Sequence, residues 1–177
     1  MKTEKIKEIA VRSGAYEVGL IDTGDLVFHD EIRKICEGNS CRNYNASWAC
    51  PPAVGTLEEC RERVARYGRM LLFTACYPLG SSFDFNGMIT AMREFKKVSD
   101  QLHANVEPVL SDFLILSNEG CGRCKKCTYP DAPCRFPDML HHSIEGYGFI
   151  VSELAKLAGV RYHNGENTVT YFGGLLF

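Results

Sequence analysis

The feature that most constrains this chain is a run of four cysteines within fourteen residues: Cys121, Cys124, Cys127 and Cys134. Two strict two-residue gaps separate the first three, so one tight loop can point three thiols inward. Structural zinc sites usually combine two Cys-x-x-Cys hooks set well apart, whereas a [4Fe–4S] cube is larger and suits the Cys-x2-Cys-x2-Cys spacing. The spacing therefore predicts an iron–sulfur loop, with a zinc site as the alternative.

The fourth cysteine of this run departs from the bacterial ferredoxin pattern, in which it follows three residues after the third and precedes proline. Here six residues separate Cys127 from Cys134, and Arg135 follows. Cys134 can close the same cube or serve elsewhere, and in the second case one iron is open to a substrate. Basic residues beside the run either offset the charge of the cluster or form a solvated surface; they are Arg123, Lys125, Lys126 and Arg135.

A second, looser set of cysteines lies in the N-terminal half: Cys36, Cys41, Cys50 and Cys60. Cys41 and Cys50 fall in an irregular stretch that places neither on an apolar stripe, so we predict that they bind metal, with help from Cys36 or Cys60. The alternative is that some of these thiols are small buried hydrophobic groups, and Cys60 and Cys36 are most open to it because each lies on a helix stripe. Cys76 lies in an apolar strand and is predicted to belong to the core.

Length and composition indicate one globular domain over residues 1–177, with cysteine-rich segments at 36–60 and 120–137. The formal net charge is −2 and no block of like charge appears, so nothing favours nucleic acid or an anionic membrane. The N-terminus does not resemble a signal peptide, and the apolar run at 70–77 is too short to span a bilayer. An odd number of cysteines, nine, argues against a closed disulfide framework and indicates cytoplasmic thiols.

Periodicity predicts an α/β layered fold, with helices packed on a parallel or mixed sheet of about four to five strands and a cysteine-rich metal loop. Predicted helices cover residues 3–13, 30–36, 57–67, 86–105 and 137–158, and predicted strands cover 16–21, 70–77, 113–117 and 169–177. The last helix would contain Gly146 and Gly148, which we attribute to close packing on the sheet, with the close approach of a cofactor or partner as the alternative. It would also carry His141 and His142 after the metal loop, as a proton donor, a ligand or a plain helix surface.

Two segments carry a resemblance to a known family. Cys41-Arg-Asn-Tyr-Asn-Ala-Ser-Trp-Ala-Cys50-Pro-Pro and the run from Cys121 to Cys134, followed by Ser143-Ile-Glu-Gly-Tyr-Gly, resemble a domain-of-unknown-function family of predicted metal-binding proteins. The resemblance covers roughly residues 15–177. It implies a metal site in a protein of anaerobic bacteria and archaea, which suits oxygen-sensitive clusters, and it implies no established reaction.

Together these features favour a cytoplasmic iron–sulfur protein with one or two [4Fe–4S] clusters that transfers electrons to a partner redox protein. One alternative is an iron–sulfur enzyme whose open iron binds a small molecule for reduction or sulfur transfer, so whether the chain is an enzyme stays open. The other alternative is a structural zinc module. The sequence is also compatible with a homodimer.

Overall fold

The computed structural model describes residues 2–118 and 120–177, and all statements below concern these residues. The described residues form five α-helices: α1 (Lys2–Arg12), α2 (Asp30–Glu37), α3 (Leu57–Val64), α4 (Phe85–Val106) and α5 (Val151–Ala158). They also form five strands: β1 (Val18–Asp22), β2 (Arg69–Pro78), β3 (Leu114–Ser117), β4 (His142–Ser143) and β5 (Thr168–Leu176).

The strands form one mixed sheet in the order β1-β2-β5-β3-β4, which confirms the predicted α/β fold. Neighbouring strands are antiparallel except for β3 and β4, which run parallel with Ser117 opposite Ser143. The long antiparallel pair β2 and β5 occupies the middle of the sheet, from Met70 opposite Leu176 to Pro78 opposite Thr168. β3 and β4 therefore lie at one side of the sheet. The loop that carries Cys121, Cys124, Cys127 and Cys134, called the first cysteine loop below, follows β3.

Two hydrophobic cores cover the two faces of the sheet, because successive side chains of β2 point to opposite faces. Leu71 and Phe73 face α1 and α4, where they join Phe95 and Leu102. On the other face, Met70 and Leu72 join a core of residues from α3, α5 and the segment before α5; it includes Val64, Tyr147, Phe149 and Leu154. No described helix is both long and apolar enough to cross a membrane.

The helix starts follow local capping chemistry. A capping box starts α3: Thr56 Oγ1 accepts from the Glu59 amide at 3.2 Å, and Glu59 Oε2 accepts from the Thr56 amide at 2.6 Å. At α4 the side chain of Asp84 accepts from the amide of Gly87 at 2.9 Å. At α2, Asp30 is the first helical residue, and His29 occupies the cap position without a side-chain capping hydrogen bond.

The predicted helix from Pro137 to Ala158 is wrong over its first two thirds. Residues 137–139 and 145–147 form short 3-10 turns around β4, and the α-helix begins only at Val151. Long-range pairing holds this segment extended, since the Ser143 amide donates to Ala49 O at 2.7 Å and the Ile144 amide donates to Ser117 O at 2.8 Å. Gly148 then turns the chain in the left-handed region, at φ +77°.

Candidate metal centre

The first cysteine loop leaves the end of β3 and runs through turns and bends from Gly120 to Phe136. Sites of α/β proteins often lie at such strand ends. Gly122 adopts a φ of +65°, a backbone conformation that glycine tolerates best, between Cys121 and Cys124. Gly122 thus supplies a left-handed backbone conformation within the first Cys-x2-Cys spacing.

This loop brings its four cysteines to one small cavity. Cys121, Cys124, Cys127 and Cys134 all line it, and Ser47 and Trp48 of the N-terminal half form part of its wall. All four are free thiols and all four are partly exposed. In residues 2–118 and 120–177, no three His, Cys, Asp or Glu side chains are arranged so that they could hold a single metal ion. The four thiols thus share one cavity wall.

Hydrogen bonds and cations surround the four thiols. The amide of Phe136 donates to Cys134 Sγ at 3.4 Å. Arg123 forms an ion pair with Asp100, and hydrogen bonding to Asp100 raises the pKa of Arg123, with a smaller contribution from the Cys121 thiolate. The remaining basic side chains of the loop are exposed: Lys125, Lys126 and Arg135. Of the four predicted cations, one is therefore fixed beside the thiols and three form a solvated rim.

Three of the N-terminal cysteines meet at a second cavity. Cys36 in the last turn of α2 lines it together with Cys41, Cys50 and Glu145. This cavity measures about 460 Å³. Burial raises the pKa of Cys50 to about 12, and the charges of Cys41, Glu145 and Cys36 act in the same direction. The four acidic groups are thus close enough to influence one another electrostatically.

Cys60 does not line this second cavity. It is fully buried on α3 in the core that covers the same face of the sheet, and its thiol donates to Val54 O at 3.6 Å. Burial raises the pKa of this thiol. Cys76 lies on β2, as the predicted strand at 70–77 requires. Its side chain is only partly buried, so it lies at the margin of the core and not within it.

Contacts join the two cysteine-rich segments, residues 36–60 and 120–137, and so fix the positions of the two cavities relative to each other. Trp48 donates from Nε1 to Ala132 O at 3.1 Å and packs edge-on against Tyr129, with ring centroids 4.8 Å apart. A Cβ at Gly120 would lie 2.4 Å from Oδ1 of Asn43, so the two segments are in close contact here and a larger residue would require the Asn43 side chain to move. The loop at 120–136 is therefore packed on the N-terminal segment.

The paired histidines do not lie on a helix surface: His141 is buried and His142 is partly buried. His141 Nε2 lies 3.1 Å from His103 Nδ1, and His142 Nδ1 lies 2.9 Å from the Tyr147 hydroxyl. Burial lowers the pKa of His141 to about 3 and that of His142 to about 4. Neither histidine lines the cavity of Cys121–Cys134, which leaves that site to sulfur donors.

Glu145 is the cavity residue that sequence reasoning missed. The apolar spacing around it predicts a helix over this segment, where a single glutamate carries no signal of a site. Its one signal was its position in the Ser143-Ile-Glu-Gly-Tyr-Gly segment that carried the family resemblance. Ser143 lines the same cavity.

The donors at both cavities favour soft metals, because thiolates prefer iron–sulfur clusters, zinc and Cu(I) over Mg²⁺ or Ca²⁺. Comparison with known proteins agrees with metal binding at this level of detail. A family model described as "Predicted metal-binding protein (DUF2284)" matches residues 19–177. Neither the curated proteins nor the solved structures gave a significant match. Because the match spans most of the chain, and both cysteine cavities lie within it, the chain belongs to this family of predicted metal-binding proteins.

Proposed function

We propose that this chain is an iron–sulfur protein in which Cys121, Cys124, Cys127 and Cys134 hold a [4Fe–4S] cluster, and that it passes electrons to a partner redox protein. The observation that carries the proposal is the common cavity of these four thiols. A cluster of this kind takes four thiolates and supplies one-electron transfer when bound.

The spacing of the donors supports a cluster over a single zinc ion. Structural zinc sites usually combine two Cys-x-x-Cys hooks set well apart, whereas the Cys-x2-Cys-x2-Cys run at 121–127 suits the several irons of a cube. Cys134 lines the same cavity as these three thiols.

The residues around the thiols fit an anionic group. The Phe136 amide bonds to Cys134 Sγ, and the Arg123 guanidinium, held by Asp100, lies near Cys121. Donors and positive charge beside the sulfurs favour the more negative, reduced form and raise the reduction potential. The chain's own contribution is thus to fix the thiols and to set the charge around them.

The position of the loop supports electron transfer to a protein partner. All four cysteines are partly exposed, so a partner can approach the cluster closely. The exposed side chains of Lys125, Lys126 and Arg135 give the rim a positive charge. Complementary charge speeds the encounter of two proteins, so the rim favours a partner with an acidic surface around its own redox group.

Anaerobic purification followed by iron, sulfide and zinc analysis tests the metal. We expect a brown protein whose visible absorption bleaches with dithionite, and loss of about four irons per chain in Cys124→Ser. Cys76→Ser is the matched control, because Cys76 lines neither of the cysteine cavities, and it should keep all iron. A colourless protein with stoichiometric zinc would contradict the proposal and support the zinc module.

Charge reversal tests the partner. The double variant Lys125→Glu, Lys126→Glu should slow reduction of the protein by an acidic low-potential electron-transfer protein at least several-fold at low salt. The difference should shrink as salt is added, because salt screens exposed charges. Lys156→Glu is the control, since this exposed lysine lies on α5, which packs on β1 at the far side of the sheet. Equal effects of both changes would exclude the basic rim as the docking surface.

A further inference from the structure

The second cavity combines three thiols with one carboxylate. The N-terminal half of the chain contributes Cys36, Cys41 and Cys50 to its wall. Glu145 comes from a segment nearly a hundred residues later. Cys50 is buried, Cys36 is partly buried and Cys41 is exposed. The donors thus run from the interior to the mouth of one cavity.

The chain holds these donors together with specific contacts. Arg33, on the same helix as Cys36, donates to Gly146 O and to Gly55 O, both at 2.7 Å. These bonds fix α2 against the turn that contains Glu145. A Cβ at Gly146 would lie 2.4 Å from Ser143 Oγ and 3.2 Å from Pro51 Cδ, so this turn packs directly on the residue after Cys50. The turn that contains Glu145 is therefore held between α2 and the segment that follows Cys50.

The donor set of the cavity suits a metal centre, because three thiols and one carboxylate line a single space. Thiolates and a carboxylate that share one cavity become compatible when a metal centre neutralises their charge. The larger size of this cavity, about 460 Å³, also leaves room beyond the donors.

We propose that Cys36, Cys41 and Cys50 bind a second [4Fe–4S] cluster and that the carboxylate of Glu145 is the ligand of its fourth iron. An oxygen ligand binds this iron less firmly than a thiolate would, because iron–sulfur clusters favour soft sulfur donors. The fourth iron is thus exchangeable, unlike the irons of the Cys121–Cys134 site.

The surroundings of the fourth iron define the ligand that can replace Glu145. The cavity lies in the size range of small-molecule sites, about 300–1,000 Å³. Apolar side chains form much of its wall; among them are Ile32, Ile35, Phe149 and Val151. The ligand class is therefore a small molecule with an anionic oxygen or sulfur donor at one end and an apolar body.

The test reads out iron and spectra, independently of any activity. The anaerobic protein should hold about eight irons per chain, and Cys50→Ser and Cys36→Ser should each lose about four. Cys60→Ala is the matched control, because Cys60 is fully buried outside this cavity, and it should lose none. Mild oxidation with ferricyanide should take one electron from the second cluster and release Fe²⁺. The product is a [3Fe–4S] cluster, detected by electron paramagnetic resonance at about one per chain.

Variants at Glu145 decide the identity of the fourth ligand. Glu145→Cys supplies a fourth thiolate and should suppress formation of the [3Fe–4S] signal. Glu145→Gln keeps the size of the side chain, weakens the ligand and should give the signal at a lower amount of ferricyanide. If both variants titrate as the native protein does, Glu145 is not the ligand. If Cys36→Ser and Cys50→Ser retain all iron, the second cluster is refuted.

This inference shares with the proposed function only the premise that the chain binds iron–sulfur clusters. The two fail separately, because Cys124→Ser reports on the first site and Cys50→Ser on the second. Loss of iron in Cys50→Ser but not in Cys124→Ser would keep the second cluster and overturn the first.

Discussion

Trp48 donates a hydrogen bond from its indole Nε1 to the carbonyl oxygen of Ala132 across 3.1 Å. This bond joins two segments that are 84 residues apart in the chain. It comes from the residue two positions before Cys50 and ends in the stretch between Cys127 and Cys134. The indole thus connects the segment that lines the second cavity to the loop that lines the first.

We predict that Trp48→Phe destabilises the first cysteine loop while it keeps the aromatic contact with Tyr129. Loss of one hydrogen bond should lower the free energy of unfolding by about 1 kcal/mol, and Trp48→Ala should lower it further. Release of iron from the first cluster to a chelator should be faster in both variants, measured anaerobically by absorbance. Tyr16→Phe is the control, because it removes an exposed hydrogen bond with Arg161. Equal release rates in Trp48→Ala and the native protein would contradict the prediction.

Local sequence signals were sufficient for much of the fold. The continuous apolar run at 70–77 became the central strand β2, and the capping box at Thr56 became the start of α3. The long helix predicted at 86–105 is α4, Phe85–Val106. In each case the determining physics lies within one segment: a two-sided hydrophobic strand, a capped first turn or a 3.6-residue period.

The segment before α5 could not be predicted because its structure depends on distant partners. Its apolar spacing suits a helix, yet Ser143 and Ile144 bond to backbone groups of Ala49 and Ser117. These partners are contributed by other parts of the chain, and tertiary pairing overrides a local period. The same limit hid Glu145, since only the folded turn brings it to the cysteines. That Cys36 lines the second cavity and Cys60 does not also depends on the fold, because both lie on helix stripes.

Arg33 should control the geometry of the second site, since its guanidinium bonds two carbonyl oxygens at once. Arg33→Lys keeps the charge but cannot reach both oxygens in this forked geometry. We expect a loss of about 1–3 kcal/mol in the free energy of unfolding and partial loss of iron from the second cluster only. Arg61→Lys is the control, because Arg61 is exposed and its ion pair with Glu58 is a surface contact. Iron loss of the same size in both variants would exclude the positioning role.

Gly148 should be intolerant of any side chain. Its φ is +77°, and a Cβ would lie 2.7 Å from Leu57 Cδ1 and 3.1 Å from His29 O. Gly148→Ala therefore combines backbone strain with a clash and should cost about 2–4 kcal/mol, measured by anaerobic urea unfolding. Gly24→Ala is the matched control, because its Cβ would meet nothing within 4 Å. A loss below about 0.5 kcal/mol in Gly148→Ala would show that this turn is not tightly packed.

The buried histidines should make the protein less stable as the pH falls. His141 and His142 titrate near the ordinary value of 6.5 in the unfolded chain, whereas burial lowers the pKa in the folded protein to about 3 and about 4. Between these values the unfolded state binds more protons, so stability is fully present above pH 6.5 and is lost below it. We expect a loss of about 1 kcal/mol per histidine between about pH 7 and pH 5.5.

The slope of stability against pH, and not stability at one pH, identifies the groups. Burial has the largest effect on the pKa of His141. The charged or titratable groups around it have smaller effects; they are Asp100, His103, Arg123 and Lys96. The double variant His141→Gln, His142→Gln should therefore flatten the dependence of the free energy of unfolding on pH between about pH 7 and pH 5.5. His163→Gln, at an exposed position, is the control and should keep the native slope. An unchanged slope in the double variant would assign the acid sensitivity to other groups, such as the proposed clusters.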